Sequence, residues 1–155
     1  MRSLKSELPD AIRRELNVRL HRLTRAARDA HAAATDPGSK AESKYDTRNL
    51  EASYLAAGQS RQVDELAESV RIFETLVLPD FYDSAAIDAG ALVEADFNGE
   101  PALFLLVPAA GGLEVPCHGR EVTLLTPDSP LYRKLLGMRS GEALDAPSLT
   151  VTAVC

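Results

Sequence analysis

From Leu16 onward, apolar and small residues recur at Leu20, Leu23, Ala27, Ala30 and Ala34, a 4-3-4-3-4 spacing. Residues three and four apart share one face of a helix, so this stripe asks for a second helix to lie along it. The sequence predicts that the first helix begins between Ser6 and Pro9, where Ser can cap and Pro is tolerated in the first turn. It should end before Asp36-Pro37-Gly38, a turn in which Pro fixes φ and Gly accepts the left-handed conformation.

The partner helix should follow directly. Ser39 and Glu42 fit the S-x-x-E capping box, and a second stripe runs through Ala52, Ala56, Gln59, Val63, Leu66, Val70, Phe73 and Val77. Two such helices joined by a short turn pack antiparallel, giving a coiled-coil hairpin over 1–78 with its tip near 35–46. The stop is expected at Leu78-Pro79, because the residue before a proline avoids the helical region. Large stripe residues lie far from the turn and alanines near it, so the hairpin should taper toward its tip.

The period then changes. Ala91 to Val93, Ala102 to Val107, Glu121 to Leu125 and Leu149 to Val154 are short apolar or alternating runs, separated by Asn98-Gly99, Gly111-Gly112, His118-Gly119 and Pro147. They read as strands of an antiparallel sheet, with Gly111-Gly112 as a hairpin turn and one short helix from Pro130 to Leu136 that stops at Gly137. The fold class is therefore α+β: a helical hairpin, then a β-rich domain over 79–155 that is expected to fold by itself.

Charge and motifs remove several function classes. Residues 1–77 carry 13 Lys+Arg against 12 Asp+Glu, while 78–155 carry 4 against 11. The acidic second half argues against direct DNA binding, which rests on clustered Lys and Arg. No stretch approaches the ~20 apolar residues of a membrane span, and the N-terminus lacks the apolar core of a signal peptide, so a soluble cytoplasmic protein is expected. Cys117 and Cys155 show no metal-ligand spacing and should be reduced, and no structural zinc is expected; Cys117 and His118 are adjacent, and in a strand they would point to opposite faces. There is no G-x-S-x-G, P-loop or HExxH motif. What remains is a polar cluster at the hairpin tip: Asp36, Glu42, Lys44, Tyr45, Asp46 and Arg48. Glu42 and Asp46 are four apart, so on a helix they could approach one cation; a capping role explains Glu42 equally.

Segments in both halves carry a family resemblance. Ile87-Asp88-Ala89-Gly90-Ala91-Leu92-Val93, Leu105-Leu106-Val107-Pro108 with Gly111-Gly112, and Leu125-Thr126-Pro127-Asp128-Ser129-Pro130-Leu131, followed by Leu136-Gly137 and Gly141-Glu142, resemble the C-terminal domain of the Gre transcript-cleavage factors. Lys40 to Thr47 and Leu50 to Ala56 resemble a short-chain Gre-like subgroup. The resemblance implies an FKBP-like second domain that docks on RNA polymerase through Ser129, Pro130, Leu131 and Tyr132. It implies a hairpin that enters the secondary channel, with Glu42 and Asp46 helping to hold Mg²⁺ only within the polymerase complex. Such a factor is a monomer, is not itself an enzyme, binds no cofactor tightly and meets the nascent RNA 3′ end only indirectly. Cleaving members read D-L-x-E-N at the tip; here Glu42 stands at the Asp position and Tyr45 at the Glu position, so a regulator that occupies the channel without cleavage is the alternative. A dimeric coiled-coil interaction protein is a second alternative. A prolyl isomerase would need an aromatic pocket, for which residues 79–155 offer Phe81, Tyr82, Phe97, Phe104 and Tyr132 and no Trp.

Overall fold

The computed structural model describes the backbone of residues 1–35 and 47–155 and the side chains of 1–33 and 58–155. In chain order the elements are α1 (Arg2–Thr35), α2 (Thr47–Thr75), β1 (Leu92–Phe97), β2 (Glu100–Leu106), β3 (Glu114–Cys117), β4 (Arg120–Leu125), α3 (Pro130–Leu135), β5 (Ala143–Leu144) and β6 (Leu149–Val154). The fold is α+β. No helix among the described residues is long and apolar enough to cross a membrane. The chain forms two compact units, Met1–Arg13 with Ile72–Cys155, and Arg14–Arg71.

Helix α1 starts at Arg2, earlier than the sequence predicts, and carries Pro9 in its interior. A proline there removes one backbone bond and crowds the carbonyl four residues back, a cost of about 3 kcal/mol. Burial offsets it: Leu4, Leu8, Ala11, Ile12 and Leu16 are all buried on one face. Each fully buried Leu or Ile contributes roughly 1.5–3 kcal/mol, so two or three of them outweigh the proline. Along the predicted stripe, Leu20, Leu23, Ala27 and Ala30 are half-buried, matched on α2 by Val63 and Leu66, with Val70 and Phe73 buried. The helices run antiparallel: Arg13 Nη1 donates to the Phe73 carbonyl at 3.0 Å, while Ala27 and His31 share a groove with Ser60 and Val63. That groove, about 530 Å³, occupies the stretch where small side chains were expected to bring the helices closer. The capping box at Ser39 and Glu42 and the turn at Asp36 to Gly38 lie outside the described residues.

Helix α2 ends at Thr75, three residues before the expected stop, and Val77 is 83% exposed instead of continuing the stripe. The early exit lets Pro79 lie against Gly90, whose φ is +86° and where a Cβ would stand 2.5 Å from Pro79 Cδ. Only glycine meets both demands without strain.

The six strands form one sheet in the order β3-β4-β2-β1-β6-β5. Two of the separating dipeptides form tight hairpins: Asn98-Gly99 and His118-Gly119 adopt positive φ at both central residues, the turn that matches strand twist. The sheet is mixed, however. Strands β2 and β4 pair in parallel, Leu103 opposite Val122 through Leu106 opposite Leu125. Gly111-Gly112 is thus no hairpin turn; it lies in the crossover from β2 to the edge strand β3, with β4 between them. Gly112 N–H bonds the Leu124 carbonyl at 2.8 Å, and a Cβ on Gly111 would sit 2.7 Å from Thr126 Oγ1.

Both faces of the sheet are buried. One carries Val93, Ala95, Phe104, Leu106, Leu125, Leu149 and Val151, packed with Ile87, Tyr132, Leu135 and Met138 around α3. Strand alternation turns Leu92, Leu103, Leu105, Val122 and Leu124 the other way, and these are buried too. The first turns of α1 cover that second face: Cys117 Sγ of β3 lies 3.9 Å from the Leu4 carbonyl, and Lys5 Nζ reaches the Cys155 carbonyl beyond β6. The sheet unit therefore takes in Met1–Arg13 and Ile72–Leu78 as well as the residues 79–155 that were expected to fold alone.

Candidate functional site

The expected sites fall on two regions. Of the tip residues, Asp36, Glu42, Lys44, Tyr45 and Asp46 lie outside the described residues; Arg48 belongs to α2, and its side chain is likewise outside them.

The expected docking segment is well defined. Ser129 is the extended residue that precedes α3, and Pro130 occupies the first turn, where its missing N–H has no helical partner to lose. The turn leading in is closed by Ser129 N–H to the Thr126 carbonyl at 2.8 Å. Arg133 Nη1 donates to the Pro127 carbonyl at 2.9 Å, and Lys134 Nζ to the Ala146 carbonyl at 2.6 Å, so the two basic residues tie α3 to its flanking loops. Pro130 is exposed and Ser129 and Leu131 are half-buried, Leu131 packing on the core. Tyr132 is only 6% exposed and belongs to the core, which removes it from the exposed docking residues. An apolar pocket of about 240 Å³ opens beside the segment, lined among others by Leu76, Pro79, Pro108, Pro127 and Tyr132.

Burial raises the Tyr132 phenol above its ordinary pKa of 10.0, and the Asp88 carboxylate adds to the shift. The unfolded chain therefore releases this proton first as pH rises, and stability falls from about pH 10 upward. Thermal melts of the wild type should drop more steeply above pH 10 than those of Tyr132→Phe, which lacks the titrating group. Parallel curves would contradict this assignment.

The sequence reading missed Lys5. It is 4% exposed, donates 2.6 Å hydrogen bonds to the carbonyls of Pro79 and Cys155, and lies 4.8 Å from the centre of the Phe81 ring. Burial pushes its ammonium below 10.5, while attraction from Cys155 and Asp80 works the other way. The 4-4-4 spacing of Leu4, Leu8, Ile12 and Leu16 was the available signal, since it places Lys5 beside the buried face. Of the five aromatic residues in 79–155, Phe104 and Tyr132 are in the core, Phe81 and Phe97 pack against it and Tyr82 is 79% exposed; Phe97 and Phe104 meet edge to face at 5.8 Å. Cys117 and Cys155 are buried and form no disulfide.

Among solved structures the chain is similar to the GreA factor homolog 1 (Gfh1) of Thermus thermophilus, at 23% identity over 92% of this chain and 94% of that one, with a TM-score of 0.36. It is similar also to Thermus aquaticus Gfh1, at 19% identity over 94% of both chains and a TM-score of 0.38. No protein-family model and no curated protein matches the chain. Likenesses this distant carry no argument about function, which must rest on the chain's own residues.

Proposed function

We propose that this chain is a Gre-like regulator of RNA polymerase, docking through the surface around Ser129 to Leu131 and placing its helical pair in the secondary channel. The observation that carries this reading is the division of labour between the two units. The described part of Arg14–Arg71 is helix alone, whereas the helix roots are built into the sheet unit. At about 1.5 Å per residue the 34 residues of α1 reach about 51 Å, more than the sheet needs for cover. A unit made of a helical pair suits insertion into a partner. The residue resemblance in both halves names that partner as RNA polymerase, and the acidic sheet half supports a protein contact over a nucleic-acid one. Tip carboxylates Glu42 and Asp46 would supply one or two oxygens to Mg²⁺, an ion that keeps waters and phosphate oxygens as its other ligands. The polymerase would then perform any cleavage at its own active centre, with this chain present as a monomeric accessory.

Tyr45 at the position of an acid favours a second reading, in which the chain occupies the channel without stimulating cleavage. A backtracked-complex cleavage assay separates the two. In the first reading, the Glu42→Gln/Asp46→Asn double variant should keep polymerase binding and lose cleavage stimulation, because each swap removes charge and keeps size. Tyr45→Glu should raise stimulation. Full wild-type cleavage by the double variant, with no gain from Tyr45→Glu, would rule out carboxylate-held Mg²⁺ at this tip.

A further inference from the structure

Glu7, Cys117 and His118 bring a carboxylate oxygen, a thiol sulfur and an imidazole nitrogen to within 4.8 Å of one another. Glu7 comes from α1, and Cys117 and His118 from the end of β3 and the turn into β4. Adjacent strand residues would face opposite ways, but His118 has φ of +52° and so leaves the strand conformation. The turn folds its ring back to the side of Cys117. His118 Nε2 meets Glu7 Oε2, and Cys117 Sγ sits 3.9 Å from the Leu4 carbonyl one turn earlier on α1. Two basic residues lie within two positions of the cluster along the chain, and each has other partners: Lys5 donates to the Pro79 and Cys155 carbonyls, and Arg120 lies 3.6 Å from Glu94.

We propose that Glu7, Cys117 and His118 form a binding site for a divalent transition metal of the Zn²⁺ class, with water in the fourth position, which clamps the first turns of α1 to the β3–β4 hairpin. A mixed sulfur, nitrogen and oxygen set suits a borderline-soft tetrahedral ion and not Mg²⁺ or Ca²⁺, which take oxygen ligands. With Zn–S of about 2.3 Å and Zn–N and Zn–O of about 2.0–2.2 Å, tetrahedral donors stand about 3.3–3.6 Å apart, within reach of side-chain rotation from the observed separation. Charge balances as well: a thiolate, a carboxylate and a neutral imidazole cancel the two charges of the ion, and the thiol proton leaves on binding. Cys117 is buried while Glu7 and His118 are exposed, so the sulfur is shielded and the open position faces solvent. This site is independent of the polymerase reading, since it uses no tip or docking residue.

The test is titration of the full chain with Co²⁺ as a spectroscopic stand-in for Zn²⁺, followed by Zn²⁺ competition. The expected result is one ion per chain, a thiolate-to-metal charge-transfer band and the intense visible bands of a tetrahedral ion. The band should vanish in Cys117→Ala and persist in Cys155→Ala. Glu7→Gln and His118→Asn should each weaken Zn²⁺ by at least about tenfold, the lower end of what even an outer-shell loss costs. Asn tolerates the left-handed backbone at 118, and Glu7 is exposed, so these two variants keep the test valid if Cys117→Ala fails to fold. Zn²⁺ should also raise the melting temperature of the wild type and of neither variant. Absence of the band with stoichiometric Co²⁺, its survival in Cys117→Ala, or wild-type affinity in both Glu7→Gln and His118→Asn would each overturn the proposal.

Discussion

A chain that begins at Pro79 should show no cooperative unfolding transition, although it contains every strand of the sheet. The truncation removes the first turns of α1 from the sheet face that carries Leu92, Leu103, Leu105, Val122 and Leu124, all buried in the full chain. At roughly 1.5–3 kcal/mol per large aliphatic side chain, five such exposures cost roughly 8–15 kcal/mol. That equals the whole stability of an ordinary domain, about 5–15 kcal/mol. The truncated chain also loses Lys5, which spans the Pro79 and Cys155 carbonyls. Circular dichroism melts of the full and truncated chains test this directly. A sharp, reversible transition in the truncated chain would show that the second face of the sheet needs no cover from α1.

The second large effect is expected at Lys5. In Lys5→Met the stem remains apolar, but the Pro79 carbonyl loses the Lys5 donor, the Cys155 carbonyl is left with the Leu92 N–H, and the Phe81 ring loses its cation. A buried acceptor left without a partner costs about 1–3 kcal/mol, and the loss of a cation over an aromatic ring about 0.5–2 kcal/mol. Against this stands the desolvation of the ammonium, which the variant recovers. The orphaned Pro79 carbonyl and the lost cation over Phe81 should win, because only one side of each interaction has been made apolar. A net loss of about 2 kcal/mol is expected, or roughly 4–8 °C in melting temperature for a chain of this size. The pH dependence carries a sign. The folded pKa lies below 10.5, so between the two values the unfolded chain binds the proton more tightly. Wild-type stability gained from this group should therefore rise with pH across that window, and Lys5→Met should lack the rise. An unchanged urea midpoint in Lys5→Met would mean that water replaces the ammonium at both carbonyls.

The helical pair was legible because its signal is periodic and local. The spacing from Leu16 to Ala34 and from Val63 to Phe73 depends only on helix geometry. The start of α1 was misplaced because Pro9 was read as a first-turn residue; tertiary burial of Leu4 and Leu8 overrides that local preference. The parallel pairing of β2 with β4 could not be read from either strand, since strand order is decided by what the crossover and edge strand β3 can reach. Strand β5, of 2 residues, is too short to show alternation, and in β3 the exposed Pro116 stands where a polar residue would have marked it. At the docking segment, the sequence located the turn and α3 but could not tell Tyr132 as core from Tyr132 as surface. The cluster of Glu7 with Cys117 and His118 was hidden by the assumption of strand alternation, which the positive φ at His118 breaks.

Direct binding of the full chain to purified core RNA polymerase from the same organism tests the central claim most simply. Labelled protein titrated with polymerase should give saturable binding of one chain per enzyme. Substitution at the exposed Pro130 should weaken that binding with the melting temperature preserved, and substitution at Leu131, which also packs on the core, should weaken it in a chain that still melts cooperatively. Absence of saturable binding by a chain whose thermal melt is cooperative would contradict the account.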